Sequence, residues 1–484
     1  MIFLRKYNEL DKHIKASLWY TICNFFQKGV SFLVIPLYVR LLSTEEYGKW
    51  SVFQSWAGLL IIFASLNLYA GVFTKSLIDI PDYRERNTYT SSMQGLGTFV
   101  SLIFFVIYML NDDCFSAFIG VDKNIMILLF LYFVVYPAIS FWNTRQKVEY
   151  KYISMVIVTI VMTLLTPTIS ILLLKYTSLR ADALILGYLF VQCGVGLFFY
   201  IWNFWKGKCF YSKKYWKYAV KFNVPLIPHY VSLIILGQSD RIMIKHYCGE
   251  SDAGIYSFAY QIANMMSVFL SAINGVRVPW SYEKLKDRGY RKLKEVTNYL
   301  CVLMGVITVG VALLAPDLVK VFGTPEYKKA IFVIPIVSLG VYFTFIYDVF
   351  CTVEFYYGST SYVMIASVSG ALLNILLNAL LLPRYGMIVA AYTTMVSYWG
   401  FMLMHYFFMR RVLTSNGIQN NIYDIHFMIV VTVILLIVLF LIFMTYKNNL
   451  IRYISVIVFV ILGIIFKDKI KKVISLLRRK RLNS

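Results

Sequence analysis

Residues 153–174 read ISMVIVTIVMTLLTPTISILLL, a run of 22 without a charged side chain. About 20 such residues in an α-helix cross the hydrocarbon slab of a bilayer with every backbone hydrogen bond made internally. The run is continuously apolar rather than alternating, so it predicts a spanning helix and not a barrel strand. The pattern recurs on both sides of it. Apolar runs at 16–39, 48–73, 89–110, 125–142, 183–205, 225–246, 253–275, 297–315, 330–352, 362–382, 387–408, 425–446 and 450–466 bring the expected count to fourteen. The fold class is expected to be all-α and polytopic.

Composition agrees. Of 484 residues, 59 % are hydrophobic and 15 % charged, against about 45–50 % and about 25 % in soluble domains. Water would not solvate such a surface, which excludes a soluble enzyme or a disordered scaffold. The first run contains Lys28 and lacks a small-residue cleavage site, so it reads as a retained helix rather than a signal peptide. The seven cysteines form no CxxC pair, and most fall inside apolar runs. They read as small buried hydrophobes, with no metal site and no disulfide framework expected.

The formal net charge is +23, and the cations are unevenly placed. With fourteen spans both termini share one side, and the connections on that side hold 33 of the 47 Lys and Arg, against 12 opposite. Positive charge marks the cytoplasmic side, so both termini are expected there. The stretch from Lys467 to Arg481 reads as an anchor on anionic membrane lipid rather than a nucleic-acid site. Connections between spans are short, so no soluble catalytic domain is expected on either face.

Tyr47-Gly48-Lys49-Trp50-Ser51-Val52-Phe53 aligns with Ala253-Gly254-Ile255-Tyr256-Ser257-Phe258-Ala259 at an offset of 206 residues. Six spans separate the two, so the copies run in the same direction, as parallel repeats in transporters do. Polar residues add a candidate substrate cavity. Asn24, Lys28 and Ser31 share one face of the first run, with Gln27 beside it. Tyr260, Asn264, Ser267, Ser271 and Asn274 recur every three or four residues in the eighth, and Gln54 is the repeat counterpart of Tyr260. Lys28 falls near the middle of its span, where a lysine costs about 2.5–3.5 kcal/mol and so should meet water, a counter-ion or cargo. Asp240 and Arg241 read as a local ion pair or gate. Asp348 and Glu354 are candidates for ion coupling or ion pairing at one end of the tenth span, with interfacial solvation the plainer expectation. His229, beside Pro225 and Pro228, reads as a hydrogen-bonded packing residue with a weaker case for coupling. Asn374 and Asn378, one turn apart, read as interhelical hydrogen-bonding residues.

Several passages resemble one family. Arg40-Leu41-Leu42-Ser43-Thr44-Glu45-Glu46-Tyr47-Gly48 is similar to the first outer turn of polysaccharide exporters of the multidrug/oligosaccharidyl-lipid/polysaccharide (MOP) superfamily. Ser239-Asp240-Arg241 with Ala253-Gly254-Ile255-Tyr256-Ser257, and then Pro279-Trp280-Ser281-Tyr282-Glu283-Lys284-Leu285, resemble the seventh and eighth spans of O-antigen and capsule repeat-unit flippases. Asn374-Ile375-Leu376-Leu377-Asn378, Leu382-Pro383-Arg384-Tyr385-Gly386 and Ala390-Ala391 resemble their eleventh-span signature. The resemblance implies a MATE-like fold: a six-helix bundle over 1–205, a cytoplasmic linker over 206–224, a second bundle over 225–410 around a central cavity, and two added helices over 411–484. It implies a flippase of the bacterial inner membrane, working by alternating access on undecaprenyl-pyrophosphate-linked oligosaccharide, without cofactor, beside a polysaccharide polymerase and a chain-length regulator.

Two alternatives stay open. A multidrug cation antiporter of the same superfamily would carry intramembrane carboxylates in its first bundle, and spans one to six show no central Asp or Glu. A membrane polymerase or ligase needs catalytic groups on a sizeable outer loop, and the outer loops 111–124 and 316–329 are short, with no acidic dyad or His cluster.

Overall fold

The computed structural model describes residues 11–465, so the basic stretch Lys467–Arg481 lies outside the described residues. The chain forms two compact units, Met1–Ile242 and Met243–Ser484.

In the first unit, α1 (Lys12–Leu41), α2 (Thr44–Ser65), α3 (Val72–Asp79), α4 (Tyr83–Met109) and α5 (Asp112–Ile119) come first. Then follow α6 (Lys123–Val148), α7 (Tyr152–Tyr176), α8 (Ala181–Gly207) and α9 (Lys213–Asn223), and α10 (Ile227–Cys248) runs across the border between units. Local chemistry sets the boundaries. Ser43 opens α2 with a capping box: its hydroxyl accepts from the Glu46 N–H, and the Glu46 carboxylate accepts from the Ser43 N–H at 2.8 Å. Arg180, just before α8, donates to both Glu46 carboxylate oxygens at 2.7 and 2.9 Å. Burial raises the Glu46 carboxyl, but the bonds from Arg180 and Ser43 outweigh it and hold the group below the usual carboxylate range.

Helix α8 is the hub of this unit, against α4, α6 and α7. Two of its glycines permit the approach. A methyl at Gly187 would come within 2.8 Å of Ser170 backbone on α7, and one at Gly196 within 2.7 Å of the Val135 side chain on α6. Small residues at such crossings let spanning helices pack backbone to backbone. A second core gathers Phe73, Tyr89 and Phe141, with ring centroids 5.7 Å apart for Phe73–Tyr89 and 4.6 Å for Phe73–Phe141.

The second unit holds α11 (Glu250–Asn264), α12 (Met266–Lys286), α13 (Tyr290–Phe322), α14 (Ala330–Tyr356), α15 (Thr360–Tyr385), α16 (Ile388–Ser415), α17 (Ile425–Thr445) and α18 (Asn449–Ile465). Helix α14 is its core, buried along most of its length and packed on α11, α13 and α16. Helix α17 is apolar all round and packs on α13, as suits a helix that otherwise faces lipid.

Ten helices among the described residues are long and apolar enough to cross a membrane, so fourteen overstates that set. The other four expected runs are helical but shorter, broken or more polar. The run 48–73 stops at Ser65, where Leu66 and Asn67 turn left-handed with φ of 48° and 47°. Their carbonyls are not wasted: the buried Asn223 amide on α9 donates to both, at 3.0 and 2.9 Å. The run 253–275 breaks between α11 and α12. There Met265 N–H bonds back to Ile262 and Val268 N–H to Met265, three residues rather than four. The run 387–408 lies within α16, with buried Thr393, Thr394, Ser397 and His405. The run 450–466 becomes α18, whose apolar stretch is Asn449–Ile461.

Candidate functional site

On α1 one side is apolar and exposed, with Ile22, Phe25, Phe26, Leu33 and Leu37, and the other carries the buried residues. Cys23, Ile35, Tyr38 and Val39 are buried, and α1 packs chiefly on α7. Asn24, Lys28 and Ser31 lie on the exposed surface of the unit, and Gln27 is half-buried. Steps of four and three residues hold these three within one helical face. Gln54 is exposed on α2, while Trp50, Phe53 and Ala57 on the same helix are buried. No acidic residue of the described α1 lies between Lys12 and Leu41.

On α10, Asp240 is buried at 1 % exposure, and Arg241 donates through Nη1 to the Gly237 carbonyl at 2.8 Å. Gln238 lies over Gly58 of α2, its amide 3.4 Å from where a methyl would stand. His229 is half-buried near the start of α10, its ring 5.7 Å from that of Tyr230.

The second unit places its polar residues differently. The stripe of the eighth span is divided by the helix break: Tyr260 and Asn264 belong to α11, while Ser267, Ser271 and Asn274 belong to α12. Asn264 and Ser271 are exposed; Tyr260, Ser267 and Asn274 are half-buried. Asn274 is the inner end of a network. Its amide donates to Asp348 Oδ2 at 2.7 Å, and its carbonyl accepts from Arg277 Nε at 3.0 Å. Arg277 Nη2 donates further to Thr352 Oγ1 at 3.2 Å and to the Asp348 backbone carbonyl at 3.3 Å. Arg277 is only 2 % exposed. A guanidinium in such a place needs its donors met; here three hydrogen bonds to neutral oxygens do so, and Asn274 bridges it to the Asp348 carboxylate.

Six residues after Asp348 on α14, Glu354 is fully buried and its Oε1 lies 2.9 Å from Nδ1 of the equally buried His405 on α16. The imidazole stacks on Tyr347 and meets Phe401 edge-on, with centroids 5.5 and 4.6 Å away. The interfacial solvation expected for Glu354 does not occur, because the helix end carrying it is enclosed by α16. Cys351, Glu354 and His405 each bring a donor atom within 4.8 Å of the others, which makes them the group among the described residues with metal-holding spacing. Asn374 and Asn378 bond as expected. Asn374 donates to Thr394 Oγ1 at 3.1 Å, and Asn378 accepts from Thr393, joining α15 to α16.

Two residues of this site escaped sequence reading. Arg277 follows the apolar run 253–275 and so looks like a loop cation in sequence, yet α12 continues past it to Lys286. The i,i+3 spacing of Asn274 and Arg277 was the available signal. His405 sat within an apolar run, where a histidine is a functional or paired residue by default.

Comparison with known proteins gives the chain its family and fold relatives. A family model described as "Polysaccharide biosynthesis protein" matches residues 14–284, and one described as MatE matches residues 225–380. An uncharacterized membrane protein of Haemophilus influenzae is 28 % identical over 378 residues, covering 73 % of this chain and 87 % of that protein. The capsular polysaccharide biosynthesis protein CapF of Staphylococcus aureus is 22 % identical over 417 residues, covering 81 % of this chain and 98 % of its own. In fold, the chain resembles the lipid II flippase MurJ in an inward closed conformation, with a TM-score of 0.72 at 15 % identity over 94 % of this chain and all of the other. It also resembles an inward-facing multidrug resistance MATE family transporter of the MOP superfamily, with a TM-score of 0.59 at 14 % identity over 80 % of this chain and 96 % of the other.

Proposed function

Because the chain belongs to the polysaccharide biosynthesis protein family and is a multi-pass membrane protein of MOP-type fold, we propose that it is a flippase for lipid-linked oligosaccharide repeat units. The cargo is an oligosaccharide on undecaprenyl pyrophosphate, made for O-antigen, capsule or exopolysaccharide, and it crosses the bacterial inner membrane by alternating access. The observation that carries this reading is the α1 face. Asn24, Lys28 and Ser31 stand exposed along a helix that crosses the bilayer. Three polar groups, one a cation, are costly against hydrocarbon and suited to a hydroxyl-rich, anionic head. Gln27, Gln54, Tyr260, Asn264, Ser267, Ser271 and Asn274 extend the set of cargo-facing residues in this reading. The cation bias of the connections puts both termini in the cytoplasm.

Residues 1–205 and 225–410 act as the two transport bundles, with 206–224 as linker and 411–484 peripheral. Asp240 and Arg241 serve as gate residues. Asp348, Glu354 and His229 are the candidates for ion coupling.

The test is Lys28→Ala in a strain deleted for the chain. The variant is expected in the membrane at wild-type level with surface polysaccharide lost and lipid-linked precursor accumulating on the cytoplasmic side. Normal polysaccharide from a well-expressed variant would remove Lys28 from the cargo path.

A further inference from the structure

At one end of the first unit, α4 and α7 begin and α6 and α8 finish. Between these helix ends is a cavity of about 270 Å³, lined by Asn87, Arg145, Glu149, Lys151, Trp202 and Lys206 among others. Arg145 forms its inner wall and is 8 % exposed. Its Nε donates to Glu149 Oε1 at 2.6 Å, its Nη1 to the Asn87 carbonyl, and its guanidinium lies 4.4 Å above the Tyr83 ring. Among the described residues its Nη2 is buried without a hydrogen-bond partner. A buried guanidinium nitrogen left unmet is an open invitation to an acceptor, since its full desolvation cost is otherwise uncompensated. Lys151 reaches Glu149 at 2.5 Å, and Lys206 lies 4.1 Å over the Trp202 ring. Three cations thus line a cavity with one carboxylate, which bonds two of them, leaving net positive charge beside the unmet Nη2, suited to an oxyanion.

The surroundings say which oxyanion. The cavity sits at the level where spanning helices end, the depth of lipid headgroups. Trp202 and its neighbours Phe198 and Ile201 on α8 are exposed apolar residues, as are Ile153 and Ile157 on α7. A second hollow of about 580 Å³ shares Lys151 and Ser154 with the first and is bounded by Lys12, Lys15, Ile153 and Ile157. The crevice therefore grades from cationic to apolar along α7, in the order of a lipid's headgroup and chain. Basic pockets between spanning helices hold anionic lipid headgroups. We propose that this crevice is a binding site for lipid-borne phosphate, taking the phosphodiester of an anionic membrane lipid between Arg145 and Lys206, with the chain along Ile153 and Ile157. Glu149 holds the two inner cations in place and competes with the ligand for them. The site is separate from the α1 face and independent of which cargo is transported.

Purified full-length protein, titrated in detergent with dioleoylphosphatidylglycerol and read by native mass spectrometry, tests this. Arg145→Gln and Lys206→Gln are each expected to weaken binding about tenfold, the worth of one charge-assisted hydrogen bond. Glu149→Gln is expected to tighten it, a result that a purely structural Arg145 would not give. Dioleoylphosphatidylcholine, with its neutral headgroup, is expected to bind more weakly than phosphatidylglycerol. Wild-type affinity in Arg145→Gln and Lys206→Gln would overturn the site. Competition by inorganic phosphate as complete as that by the lipid, at equal concentration, would overturn its assignment to a lipid. Should Arg145→Gln misfold, Lys206→Gln and Glu149→Gln decide the matter, because Lys206 is exposed and Glu149→Gln keeps its shape.

Discussion

Two ways of keeping polar side chains inside a membrane protein stand side by side in this chain. On α1, Asn24, Lys28 and Ser31 are exposed along a face that Ile35 and Tyr38 continue as buried residues, while Ile22, Phe25, Leu33 and Leu37 are exposed on the other side. In the second unit Arg277, Glu354 and His405 are enclosed, and their hydrogen bonds run to Asn274, Asp348, Thr352 and one another. The first arrangement offers polarity outward and costs little if removed. The second turns polarity inward, where removing one member strands the others. The contrast teaches that exposed polarity is the better guide to cargo, and enclosed polarity the better guide to stability or to a protonation-dependent state.

Mutations can break this contrast at several levels. The largest stability loss is expected from Arg277→Met, which removes three buried hydrogen bonds and the guanidinium that Asn274 bridges to the Asp348 carboxylate, at a cost of about 3 kcal/mol. Thermal unfolding in detergent measures it. The double change Arg277→Met with Asp348→Leu should recover much of the loss, and a purely additive result would refute the coupling. His405→Leu is expected to cost about 1–3 kcal/mol by orphaning Glu354, with Glu354→Leu partly compensating in the same assay.

A smaller effect belongs to Glu149, at the end of α6. Burial raises its carboxyl, but hydrogen bonds from Lys151 and Arg145 prevail and hold it below the usual carboxylate range. A depressed pKa means the stabilisation is complete above the ordinary carboxylate value and is lost as pH falls through the depressed one. Acid should therefore lower the unfolding temperature by a step that Glu149→Gln lacks. Smallest is Lys28→Ala, expected to shift stability by no more than about 0.5 kcal/mol while abolishing polysaccharide export. A large stability loss in that variant would place Lys28 with the enclosed residues instead.

Much of the fold was legible because hydrocarbon imposes one rule on every span: enough apolar length, in helical form. Runs such as 153–174 and 425–446 were read correctly on that rule alone. The rule failed where backbone geometry, not composition, decides. Nothing apolar or polar at 253–275 announces that the helix shifts to three-residue hydrogen bonding at Met265. The stop at Ser65 is met by Asn223, 158 residues away, which donates to the two freed carbonyls. The candidate site was legible in part. Lys28, Asn24 and Ser31 announce themselves by period, whereas Arg277 is hidden by its place just past an apolar run. Its burial is a property of α14 lying across it, which no local window contains. His405 needed its partner Glu354, 51 residues earlier, to be given meaning.

The interruption at Asn264 and Met265 has a mechanical consequence. A continuous rod passes any tilt at one tip straight to the other, whereas a jointed one can swing its arms separately about a fulcrum. The arm from Glu250 to Asn264 is pinned on α14, and the arm from Met266 to Lys286 carries Asn274 and Arg277. Bending at that joint would therefore tug directly on the carboxylate of Asp348, so that shape and charge in this half of the molecule would be moved by a single lever.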